Sequence, residues 1–153
     1  MRQILARRSV LGYCAGAAGA MLLAFTSRSQ AATTQYKADL KGSDEVPPTK
    51  STGTGSVTMT YDSATKMVSW EGTFSGLTGP ATAAHIHGPA PAGKNAGVLV
   101  WISEKGKPFN SPFKGSATLT DAQAANLSDG MCYVNIHTAA NPGGEIRGQL
   151  AKS

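Results

Sequence analysis

The chain has 153 residues and a formal net charge of +5, from fourteen basic and nine acidic side chains with the three histidines neutral. Four of the basic residues (Arg2, Arg7, Arg8 and Arg28) fall in the first thirty-one positions, which leaves ten basic against nine acidic side chains in the rest. That balance, without any cluster of Lys or Arg among aromatics, excludes nucleic acid as the partner, and the length suits one domain with a real core.

Residues 1–31 read as an export signal that is not part of the fold. A basic start is followed by an uncharged stretch from Ser9 to Ser27, and Ser29-Gln30-Ala31 offers a small-residue cleavage site. Ala6-Arg7-Arg8-Ser9-Val10-Leu11-Gly12 is twin-arginine-like, and Gly12, Gly16 and Gly19 make the apolar stretch soft for a membrane anchor. An uncleaved anchor is the alternative. Cleavage leaves residues 32–153 without a stable anchor, and predicts a periplasmic or secreted protein. Tyr13 before Cys14 makes a poor lipoprotein site, so Cys132 is the one mature cysteine and no internal disulfide can form.

From Tyr36 onward, short β-rich segments alternate with Gly, Pro, Asn and Asp, which predicts an all-β fold. Strands are expected at 36–40, at 55–61 and 67–74 as a hairpin, at 81–87, at 98–102, at 115–119, at 131–137 and at 145–150. The continuous apolar run Val98-Leu99-Val100-Trp101-Ile102 suggests a strand covered on both faces. Thr120 followed by good helix formers to Leu127 predicts one short helix. Cys132 sits in a strand and reads as a buried, inert thiol.

All three histidines lie in two of these strands, in Ala84-His85-Ile86-His87-Gly88 and Asn135-Ile136-His137-Thr138. Side chains on a strand alternate faces, so His85 and His87 point the same way. If Ile86, Val134 and Ile136 face the core, the imidazoles share the outer face with Tyr133 and Asn135. Neighbouring strands would let all three converge on one copper or zinc ion; an intervening strand, at about 4.8 Å per spacing, would keep them apart. Strand histidines also serve simply as hydrogen-bond partners of carbonyls or carboxylates. Glu145 and Arg147 share a face of the last strand and are expected to pair, and Glu145 or Glu45 is a candidate acceptor that would orient an imidazole.

Four motifs in order carry a family resemblance: Leu40-Lys41-Gly42-Ser43-Asp44-Glu45-Val46-Pro47-Pro48, Ala84-His85-Ile86-His87-Gly88-Pro89, Tyr133-Val134-Asn135-Ile136-His137-Thr138 and Asn141-Pro142-Gly143-Gly144-Glu145-Ile146-Arg147-Gly148-Gln149. They resemble the CHRD domain, named after chordin, over nearly the whole mature chain. The resemblance implies an immunoglobulin-like, Greek-key β-sandwich of about eight strands in an exported protein, and carries over no catalytic residues. His-Ile-His before a Gly-rich loop also looks like the copper-binding stretch of copper-zinc superoxide dismutases, but three histidines exclude a complete dinuclear site.

No nucleophile elbow, phosphate loop, dinucleotide fingerprint or dithiol motif is present, and adjacent His137 and Thr138 face opposite ways, so they form no dyad. Three readings follow: a non-catalytic module docking a protein or polymer, a copper or zinc binder through His85, His87 and His137, and a mononuclear, dismutase-like copper redox enzyme.

Overall fold

The structure is a computed structural model and describes residues 32–153; the export segment expected at 1–31 lies outside the described residues. The strands are β1 (Thr33–Lys41), β2 (Thr54–Asp62), β3 (Met67–Ser75), β4 (Ala81–His87), β5 (Val98–Trp101), β6 (Phe113–Thr118), β7 (Tyr133–Thr138), β8 (Ile146–Gln149) and β9 (Ala151–Lys152). One helix, α1 (Asp121–Ser128), and a single 3-10 turn at Gly42–Asp44 complete the elements. All strand pairs are antiparallel. They form one continuous sheet in the order β5-β4-β7-β8-β1-β2-β3-β6, with β9 on β1.

The all-β class is as expected, with nine strands in place of eight. The last segment divides because Leu150 turns into the core and its N–H donates to the Cys132 carbonyl at 2.9 Å. A single ladder pair, Lys41↔Arg147, joins β8 to β1, and there the sheet turns over on itself. Its two halves face each other and the sheet is nearly closed. Tyr36, Leu40, Val57, Met59 and Val68 of one half meet Ala84, Ile86, Val134, Ile136 and Ile146 of the other in one core. Each large aliphatic side chain buried there contributes about 1.5–3 kcal/mol.

Local chemistry explains the elements that frame this core. β1 alternates exposed and buried residues along its length, which sets its register against β2. The β2–β3 hairpin turns where the Asp62 carboxylate accepts the backbone N–H groups of Ala64 and Thr65, and Lys66 takes a left-handed φ of 58°. A capping box starts α1, with Thr120 and Gln123 each bonding the other's backbone N–H. The Gln123 amide also donates to the Leu99 carbonyl at 3.0 Å, which ties the helix to β5.

The strand at 98–102 corrects its expectation. β5 is an edge strand, and Val98 and Trp101 are 43% and 47% exposed. The doubly covered strands are instead β4, β7 and β8, whose burial runs almost without a break.

Candidate metal centre

β4 and β7 are neighbours, with His85 opposite Asn135, His87 opposite Tyr133 and His137 opposite Ala83. Ala84, Ile86, Val134 and Ile136 take the core side, so the register sends all three imidazoles to the outer face, as the alternation requires. There they converge. His85 Nδ1 lies 3.0 Å from His137 Nε2, and one ring nitrogen from each histidine falls within 4.8 Å of the others. Three nitrogens bound to one ion at 2.0–2.1 Å stand about 3.3–3.6 Å apart, so small side-chain rotations close the set.

Hydrogen bonding decides which nitrogens are free. His87 Nδ1 is 3.0 Å from the Ala96 carbonyl and His137 Nδ1 is 3.0 Å from the Pro142 carbonyl. A carbonyl only accepts, so both Nδ1 atoms carry the proton and each neutral ring keeps its lone pair on Nε2. His85 Nδ1 then donates to His137 Nε2. The Nε2 atoms of His85 and His87 are buried with no hydrogen-bond partner. Orphaned buried acceptors of this kind are costly, and a coordinated ion would satisfy them.

The electrostatics hold the rings neutral. Burial pulls His85 down to about 4, helped by His137 and His87 beside it. Burial also lowers His87 and His137, against the opposing pull of the Ala96 and Pro142 carbonyls. Neutral imidazole is the form that binds a metal.

The loop from Gly88 to Gly97 lies over this face of the sheet. Arg147 donates to the Lys94 carbonyl at 2.6 Å and to the Asn95 side chain at 3.0 Å, and Gln149 donates to the Ala90 carbonyl at 2.9 Å. Asn95 reaches on to the Val46 carbonyl, linking this loop to the one after β1. Tyr133 is sandwiched: its ring stacks on His87 at 4.9 Å and 4°, and the Arg147 guanidinium sits 3.4 Å from its centroid. The Tyr133 hydroxyl accepts from the Ala96 N–H and donates to the Ala96 carbonyl, the same carbonyl that meets His87 Nδ1.

The carboxylates have other duties. Glu145 accepts from Ser51 Oγ (2.6 Å), the Thr78 N–H and hydroxyl (2.7 Å each), Thr138 Oγ1 (2.5 Å) and Asn141 Nδ2 (3.2 Å). Burial alone would raise its pKa, but these donors hold it down at about 2. It does not pair with Arg147, which corrects the expected ion pair: its hydroxyl donors draw the carboxylate to one set of loops, while the guanidinium reaches the Gly88–Gly97 loop. Glu45 accepts from Asn135 Nδ2 at 2.7 Å, and burial raises it to about 7 although Arg147 opposes the rise. Neither carboxylate accepts an imidazole N–H; backbone carbonyls take that place.

Sequence reasoning missed Trp101. It stands on β5 directly opposite His85, with ring centroids 4.1 Å apart and planes at 88°. The signal was present, since an indole on the strand after His-Ile-His is within one pairing of the site, but the pairing itself could not be read. The Thr138 hydroxyl is committed to the Glu145 carboxylate, while the neighbouring His137 ring meets His85.

The family model described as the CHRD domain matches residues 36–150. The chain belongs to the CHRD family. No curated protein and no solved structure matches it. CHRD membership supports a non-catalytic binding module and leaves the chemistry to the site itself. Among the described residues of this CHRD domain, no helix is long and apolar enough to cross a membrane.

Proposed function

We propose that this CHRD domain is an exported, non-catalytic module that holds one copper or zinc ion through His85, His87 and His137. The observation that carries the reading is the pair of buried, partnerless Nε2 atoms on His85 and His87 beside His137, whose Nε2 is met by the His85 ring at 3.0 Å. Two of the rings are oriented by carbonyls on the far nitrogen, the arrangement that presents a lone pair to an ion. The basic, then apolar, then small-residue order of residues 1–31 supports export.

Metal analysis and titration of the protein beside a His137→Ala variant test this. One ion bound tightly by the wild type and lost in the variant is the expected result. No binding by either would overturn it and make the histidines structural. A metal-free module docking a protein or polymer is the second reading, favoured by the exposed Val98 and Trp101 on edge strand β5. A superoxide assay on the copper-loaded protein separates a holder of metal from a redox enzyme.

A further inference from the structure

Imidazole binds both copper and zinc, so the donor atoms alone do not choose between them. Charge and coordination number do. Resting on the metal reading above, we infer that the triad selects a monovalent ion, cuprous copper, over divalent copper or zinc, with Trp101 as the residue that covers the site.

The first argument is charge. Among the described residues the grouped donors are three neutral imidazoles, with no carboxylate or thiolate in the set. Glu145 is engaged by its hydroxyl donors and Glu45 by Asn135. Cys132 lies on the core side, packed in the hydrophobic cluster. A fixed positive charge stands close by: Arg147, buried and hydrogen-bonded to a carbonyl and an amide oxygen, sits one aromatic ring behind His87. A neutral, half-buried site next to a guanidinium penalises charge, and the desolvation cost of an ion grows with the square of its charge. A divalent ion therefore costs about four times the desolvation of a monovalent one of similar size, with no anionic ligand to offset it.

The second argument is coordination. Zinc in protein sites takes four ligands, the fourth a water when the protein gives three. Cuprous copper accepts three. Trp101 flanks His85, the rings 4.1 Å apart at 88°, and its indole carries no lone pair that could serve as a fourth ligand. Trp101 is 47% exposed on edge strand β5 yet packs its ring against His85, which places a bulky, non-ligating side chain on the open edge of the site.

The test is an anaerobic competition titration of the protein with Cu(I) against a chromophoric cuprous chelator, with Ag(I) as a redox-inert surrogate, and parallel titrations with Cu(II) and Zn(II). The expected result is Cu(I) bound at least about 100-fold more tightly than Zn(II), and displaced one for one by Ag(I). Trp101→Ala should narrow that ratio by about tenfold while leaving the fold intact. Ala83→Asp, which places a carboxylate opposite His137, should raise Zn(II) affinity relative to Cu(I). Zn(II) or Cu(II) bound as tightly as Cu(I) by the wild type would overturn this inference and leave the metal site standing. An unchanged ratio in Trp101→Ala would remove that residue's part. Binding of none of the four ions would overturn both readings.

Discussion

Removing the Glu145 carboxylate should cost this domain a large share of its stability. The side chain is fully buried and receives five hydrogen bonds, from Ser51, Thr78 twice, Thr138 and Asn141, that tie three loops to the start of β8. In Glu145→Ala the exposed ends of that set can turn to water. The fully buried Thr138 hydroxyl cannot, and a buried orphan of this kind costs roughly 1–3 kcal/mol beyond the lost charge-assisted bonds. The total is about 3–5 kcal/mol, or a fall in Tm of about 10–20 °C for a domain of this size. Glu145→Gln keeps one acceptor oxygen for Ser51 and the Thr78 N–H, while the hydroxyls can rotate to accept from the new NH2, so about 1–2 kcal/mol is expected. The two variants also differ in their response to acid. In the folded protein the carboxyl stays ionised down to about 2, against 4.5 for the ordinary group, so the unfolded chain takes up the proton first as pH falls. The stabilisation is complete above about pH 4.5 and disappears as pH falls toward 2, and Glu145→Gln should lack that loss. Urea unfolding at pH 7 and at steps down to pH 3 measures both quantities. A Glu145→Ala protein within about 0.5 kcal/mol of wild type would refute the reasoning, and so would normal stability combined with lost metal affinity.

His85→Ala with His87→Ala should leave the circular dichroism of the sheet unchanged and abolish metal uptake; an unfolded product would show that the imidazoles hold the fold. Copper at a hundredfold excess over its Kd should stabilise the wild type by about 2.7 kcal/mol in thermal melts and leave His137→Ala unmoved. Gly144→Ala should destabilise by about 2–4 kcal/mol, because the residue has φ of 132° and its added methyl would overlap the Asn135 amide and the Glu45 carboxylate. A near-neutral Gly144→Ala melt would contradict that crowding. Cys132, buried and with its thiol pushed up to about 11, should resist thiol reagents in the native protein and react only on unfolding.

The outer-face placement of the histidines was legible because Ile86, Val134 and Ile136 are large and aliphatic, and a strict two-residue period leaves only one way to bury them. Thr120 and Gln123 announced the helix start for a similar reason, since capping chemistry is local. What could not be read was long-range. The adjacency of β4 and β7, which brings His137 to His85, depends on a chain reversal spanning β5, β6 and α1. β5 misled because its apolar run looks the same whether the strand is central or packs only Leu99 and Val100 against the core from the edge. Glu145 misled because its partners Ser51 and Thr78 are far away in sequence and chemically ordinary, while the nearby Arg147 is conspicuous.

β4 and β7 are covered by the core on one side and by the histidine layer with its loop on the other, while β5 and β6 end the sheet. Amide hydrogens on β4 and β7 should therefore be the slowest to exchange, and those of β5 and β6 should open first. The imidazoles thus stand on the part of the molecule that fluctuates least. An arriving ion would meet donors already in place and would not have to organise the chain around itself, so loading and release can proceed while the fold stays shut.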